Sequence, residues 1–218
     1  MTRKSRTLSL SMAAAAFAFA LMACANGNSA DSLGRAAVAV QRQRSYRASY
    51  TALTRIEGAP RPVVAEGVLE FRFPDRSRLT SGDLEVITIG RQVWARVEGR
   101  WQRDEFASPP LDPDLYLAAV VQAEKMRGSQ YAFRVSVSAY RSELQRRMGA
   151  LPEELVDRLK TFAAEGEVLM GEDGLPKEMT IRVKDTVPGP RTQIIKATFR
   201  FLEFGQAYDI EPPEALSP

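Results

Sequence analysis

Acid/base and nucleophilic chemistry near neutral pH draws first on histidine and cysteine. This chain of 218 residues has no histidine and a single cysteine, Cys24. That excludes histidine-dependent triads, histidine zinc motifs and an intrachain disulfide. Carboxylates remain, and three close pairs have the composition of acid/base or calcium sites: Asp112 with Asp114, Glu153 with Glu154, and Glu172 with Asp173. Each pair has a simpler role. Asp112 precedes Pro113 and reads as a helix N-cap, Glu153 and Glu154 fall where a first helical turn favours negative charge, and Asp173 precedes Gly174 in a turn. None has the spacing of a calcium-binding EF-hand loop. The expectation is a non-enzyme with no catalytic residue, no metal and no cofactor.

Cys24 acquires a use from what precedes it. Arg3, Lys4 and Arg6 are followed by an apolar run from Leu8 to Ala23, shorter than a bilayer span. Residues 1–23 therefore read as a signal peptide. Its last residues, Leu21-Met22-Ala23-Cys24, resemble the lipobox of bacterial lipoproteins, in which cleavage leaves a diacylglycerol-modified cysteine at the new N-terminus. Ala23-Cys24-Ala25 also satisfies the small-x-small pattern of ordinary signal cleavage after Ala25. The lipobox reading makes Cys24 the lipidation site, residues 24–30 the acylated cysteine and a flexible tether, and residues 31–218 one domain. Its location is then the bacterial cell envelope, extracytoplasmic and lipid-anchored to a membrane.

The charge distribution removes another class. The net charge of +3 comes from the three basic residues before Asp31, and without them 27 basic residues balance 27 acidic ones. A neutral domain has no excess charge to drive phosphate contacts, so no nucleic acid partner is expected. The local cluster Lys125, Arg127, Arg141, Arg146 and Arg147 has the charge to meet anionic headgroups, but is read first as a solvated face offset by Glu124 and Glu143.

The elements that must position these residues follow from periodicity. Leu33, Ala36, Ala37 and Val40 recur at helical spacing up to about Gln43. Alternation then marks a strand carrying Tyr46, Ala48, Tyr50, Ala52 and Ile56 on one face, and another carrying Leu69, Phe71 and Phe73. Turns at Pro74-Asp75, Gly82-Asp83, Gly90-Arg91 and Gly99-Arg100 space the next strands like an antiparallel meander. A helix is expected from Leu115 through Leu117, Val120 and Val121 to Met126, then a strand from Tyr131 to Ala139. Helical spacing returns over Ser142–Phe162 with a break near Gly149–Pro152, and strands at Gly166–Met170, Met179–Lys184 and Thr192–Phe204 close the chain. Helices interrupt the strands without alternating with them, so the class is α+β.

Three segments carry a family resemblance. They are the meander Ile87–Trp101, the hairpin Gly171–Met179 and the ending Phe201–Pro213. Together, after a lipobox, they look like the LolA/LolB-like superfamily of extracytoplasmic carriers, most of all lipoproteins of the LppX/LprG type. The resemblance implies a curved antiparallel sheet, an open half-barrel wrapped around helices, with a hydrophobic cavity for acyl chains. It brings no catalytic residues.

Candidate cavity residues are the inward-alternating Leu69, Phe71, Phe73, Phe133, Val135, Phe199 and Phe201, with Trp94 near a hairpin and Leu117, Val120 and Val121 on the expected helix. Plain core is the alternative role for each of them. The functional expectation is an anchored lipoprotein that binds a lipid or acylated molecule as carrier or acceptor in envelope transport. Two other classes remain open. One is a sensory or protein-interaction lipoprotein on the same fold, with an envelope protein partner, and the other is a structural factor with a filled core.

Overall fold

A computed structural model describes residues 29–105, 111–187 and 191–213. Helix α1 covers residues 29–42 and buries Leu33, Ala36, Ala37 and Val40, the stripe expected from their spacing. Ser29 and Ala30, expected in the tether, already belong to this helix. Arg44, in the left-handed region at φ 63°, redirects the chain into β1 (Ser45–Ile56).

Five more strands follow as hairpins: β2 (Val63–Arg72), β3 (Arg76–Ser81), β4 (Leu84–Ile89), β5 (Gln92–Val97) and β6 (Arg100–Glu105). The expected glycines make the turns, with positive φ at Gly82, Gly90 and Gly99. After α2 (Pro113–Ala118) come β7 (Val120–Lys125), β8 (Gln130–Val135), α3 (Val137–Met148) and α4 (Glu153–Leu159). The last three strands are β9 (Ala163–Met170), β10 (Pro176–Val187) and β11 (Arg191–Phe204).

All eleven strands form one open antiparallel sheet in the order β6-β5-β4-β3-β2-β1-β11-β10-β9-β8-β7. The first and last strands pair at its centre, Tyr50 opposite Phe199. The chain passes through α2 between strands at opposite edges of the sheet. The helices pack against one face of this open sheet. Its inner face contributes Tyr46, Ala48, Leu69, Phe71, Phe133, Met179, Ile181 and Phe199 to one packed cluster with Leu33, Leu115, Leu117, Tyr140, Leu144, Leu155 and Leu159 of the helices. Each of the larger of these side chains contributes about 1.5–3 kcal/mol by leaving water.

Two glycines permit close approach inside strands. A Cβ on Gly67 would lie 1.9 Å from the Thr80 carbonyl oxygen and 2.9 Å from the Tyr50 ring. On Gly166 it would lie 2.3 Å from the Thr180 oxygen and 2.8 Å from the Phe133 ring. In each case an aromatic ring from the opposed residue fills the space above the glycine.

Three expected boundaries change. The helix expected up to Met126 ends at Ala118, because the segment from Val120 pairs with β8 (Val120 opposite Val135, Ala123 opposite Phe133) and gains ladder hydrogen bonds. Short apolar runs fit both periods, and tertiary pairing decides between them. The strand expected through Ala139 stops at Val135, where the Ser136 hydroxyl oxygen accepts from the Ala139 N–H at 3.3 Å and caps α3. At the other end of this segment α4 stops at Leu159, and buried Phe162 lies outside it.

Candidate functional site

The inner face of the sheet is the surface on which apolar side chains collect, and its rows follow from the register. Ala48 lies opposite Leu69, Leu69 opposite Leu79, Leu79 opposite Val86 and Val86 opposite Ala95. Cross-strand partners share a face, so this row crosses five strands on the inner side. Val93 lies on that side two residues from Ala95. Tyr50 and Gly67 start a parallel row, and Leu84 and Val97 stand on the same side nearer the sheet's β6 edge.

Burial divides this face in two. Leu69, Phe71, Leu117, Phe133 and Phe199 are no more than 4% exposed and pack into the central cluster, with Phe73, Val120, Val135 and Phe201 partly buried against it. These nine of the expected residues meet in one core, on strands and helices far apart in sequence. Away from the helices, Val63, Leu84 and Val97 on the same inner face remain 59%, 38% and 44% exposed, and Leu79, Val86, Val93 and Ala95 are half-buried. Leu79 and Val93 pack against the core, and with Val86, Ala95, Leu84 and Val97 they form an apolar shelf that extends from it on β3–β5. Sequence reading missed these shelf residues, although alternation along Val93-Trp94-Ala95-Arg96-Val97 carried the signal.

Two expected residues stand elsewhere. Trp94 pairs with Ile87, which pairs with Arg78, which pairs with Glu70, and this chain of partners lies on the outer face. There Trp94, Ile87 and Ile210 make a small cluster of their own, the last supplied by the C-terminal segment. Arg76 donates from Nη1 to the Ile210 carbonyl oxygen (2.9 Å) and Arg78 from Nη2 to that of Asp209 (2.6 Å), which fixes the segment over Trp94. Val121, on edge strand β7, is exposed. Cys24 lies outside the described residues.

A buried polar group fixes α2 and α3 beneath the sheet. Tyr46 donates its hydroxyl proton to Asp114 Oδ1 (2.9 Å), and Arg147 donates from Nη2 to Asp114 Oδ2 (2.5 Å) and from Nε to Glu143 Oε1 (2.9 Å). The Arg147 guanidinium also lies over Phe71 and Phe73, 5.8 and 5.5 Å from their ring centres. Burial raises the Tyr46 phenol well above its usual value, and Asp114 adds to the effect. The Asp112 carboxyl is pushed up to about 7, first by burial and then by Asp114, with Arg147 opposing. The carboxylate of Asp114 is taken up by Tyr46 and Arg147, and this group orients helices. A second pair, Arg158 with buried Asp185, joins α4 to β10.

Among the described residues, no group of three or more histidines, cysteines and carboxylates is placed to hold a metal. No described helix is long and apolar enough to cross a membrane.

No family model and no curated protein matches the chain. Solved structures similar to it include a LolA superfamily protein from Nitrosomonas europaea, 8% identical, with 86% of this chain and 96% of that one covered and a TM-score of 0.39. A DUF1329 family protein from Desulfovibrio piger is 9% identical over 85% and 95% of the two chains, with a TM-score of 0.37. An outer membrane lipoprotein-sorting protein domain from Vibrio parahaemolyticus is 7% identical over 84% and 94%, with a TM-score of 0.38.

Proposed function

We propose that this chain is an extracytoplasmic lipoprotein, anchored through an acylated Cys24, that binds a lipid or acylated molecule on the inner face of its sheet. It would act as carrier or acceptor in envelope lipid or lipoprotein transport. One observation carries the binding half of this reading: the shelf of Leu84, Val86, Val93, Ala95 and Val97 is apolar, continuous with the core through Leu79 and Val93, and left exposed at Leu84 and Val97. A bound acyl chain gains about 0.8 kcal/mol for each methylene taken out of water, which can outweigh the cost of association over a long chain. The anchoring half rests on Leu21-Met22-Ala23-Cys24 at the end of the apolar leader.

A second reading draws on the packing of Leu69, Phe71, Leu117, Phe133 and Phe199, which leaves these side chains filling the core. With them packed, the shelf serves equally as the docking surface of a sensory or protein-interaction lipoprotein. Native mass spectrometry and organic extraction of Cys24→Ser protein from a bacterial host separate the two. Co-purifying lipid that is lost in Leu84→Arg supports the carrier. Lipid-free protein that takes up no fluorescent acyl probe overturns it in favour of the interaction module. Membrane fractionation tests the anchor, since Cys24→Ser protein that stays as membrane-bound as the wild type defeats it.

A further inference from the structure

Strands β8 and β9 pair from Gln130 opposite Leu169 as far as Arg134 opposite Glu165, and there their pairing ends. β8 turns away through Val135 into α3, while β9 continues beside β10 to the pair Ala163–Lys184. The divergence leaves a notch of about 320 Å³, at the lower end of the roughly 300–1,000 Å³ of small-ligand clefts. Val135, Val137, Phe162, Ala164 and Ile194 give it apolar walls.

The rim of the notch is basic. Arg134, Arg182 and Lys184 face a single carboxylate, Glu165, whose Oε1 lies 3.4 Å from Arg182 Nη1 in a pair exposed on both sides. Arg134 and Lys184 form no ion pair among the described residues. Val137 is the first residue of twelve-residue α3, so the positive end of a helix dipole adds to the same side. A cleft with apolar walls, two unneutralised cations and a helix N-terminus is complementary to a molecule with one acyl chain and one negative head.

We infer that this notch binds a single-chain anionic amphiphile, a fatty acid, with its carboxylate between Arg134, Arg182 and Lys184 and the adjoining methylenes against Val135, Val137 and Phe162. The site shares no residue with the shelf of β3–β5 and stands whether or not the shelf binds lipid. Exposed pairs on a protein surface are individually weak, and here the apolar walls supply the adhesion while the rim selects the sign of the head.

The test titrates the full chain carrying Cys24→Ser with dodecanoate, dodecyltrimethylammonium and dodecanol by calorimetry, the two ions below their micelle concentrations and the alcohol below its solubility limit. Dodecanoate is expected to bind at least about tenfold more tightly than the cationic and neutral analogues. The double variant Arg182→Glu, Lys184→Glu should lose that preference, and Ala163→Trp should block the notch and abolish the carboxylate-selective component of binding. Ala163, Arg182 and Lys184 are all exposed, and an unchanged thermal midpoint verifies the fold. Leu84→Arg on the shelf removes any acyl binding there and should leave the carboxylate-selective component intact, which separates this site from the shelf. Equal affinity for all three heads, no binding of dodecanoate, or dodecanoate binding lost in Leu84→Arg but kept in Ala163→Trp overturns the inference.

Discussion

Arg147 of α3 and Asp114 of α2 form an ion pair that is taken out of water, with Nη2 2.5 Å from Oδ2 and side chains 2% and 0% exposed. The pair ties the helix that bridges the two edges of the sheet to the longest helix of the second half. Breaking it by Arg147→Met strands the Asp114 carboxylate with Tyr46 as its remaining donor. The expected loss is about 3–5 kcal/mol in urea denaturation. Combining Arg147→Met with Asp114→Asn should cost clearly less than the sum of the two single changes, because the double variant leaves no buried unpaired charge. Additive losses would show that the pair is not coupled.

Asp112 gives stability a pH dependence of opposite sign to that of an ordinary ion-paired aspartate. Its carboxyl titrates near 7 in the folded chain against 3.8 as the unperturbed value, so between these values the folded state holds a proton that the unfolded state has released. Its contribution to stability is full below about pH 4, falls by at most about 1.4 kcal/mol per pH unit as pH rises to 7, and is level above. Urea midpoints of the wild type and of Asp112→Asn at pH 5, 6, 7 and 8 should therefore diverge up to pH 7 and run parallel beyond it. A difference that is constant across this range refutes the assignment.

Glycine substitutions should divide by position. Gly67→Ala drives a methyl group into the Thr80 carbonyl oxygen and is expected to cost about 3 kcal/mol, and Gly166→Ala a comparable amount. Gly34→Ala on exposed α1 has nothing within 4 Å of the new methyl and should stabilise by about 0.5–1 kcal/mol through lower unfolded-chain entropy. Thermal or urea melts of the three variants read both signs.

The C-terminal segment should behave as the cover of Trp94 and not as part of a ligand site. Ile210→Ala removes a fully buried side chain from the outer cluster and should cost about 2–4 kcal/mol while shifting tryptophan emission to the red. Acyl-probe uptake by the inner face should be unchanged. Uptake that falls with Ile210→Ala at full folding would place Trp94 in the functional surface.

Individual elements differ in how far the sequence made them legible. The strand pattern Tyr46, Ala48, Tyr50, Ala52 appears unaltered as the inner face of β1, because a period of two with aromatic and small apolar residues has one low-energy burial. The hairpins of β3 to β6 are equally local, set by glycines at positive φ. Val120 to Lys125 was not legible in this way. Its apolar residues fit the end of a helix as well as a strand, and the hydrogen bonds that decide between them come from β8, whose partners lie beyond the turn that follows Lys125.

The same divide separates the candidate residues. Local periodicity determined that Leu69, Phe71, Phe133 and Phe199 point inward, along with the turns, the α1 stripe, the absence of histidine chemistry and the lipobox-like leader. Tertiary structure alone decided that Trp94 belongs to the outer face, since its side follows from the register of five successive strands and not from its own neighbours. It also decided which inner residues are core and which are shelf. Burial depends on where the helices end above the sheet, and that is fixed by long-range contacts such as Arg147 with Asp114, between positions 33 residues apart. The notch at Val135 and Phe162 has the same origin, because it exists only where two strands that pair at Arg134 and Glu165 separate.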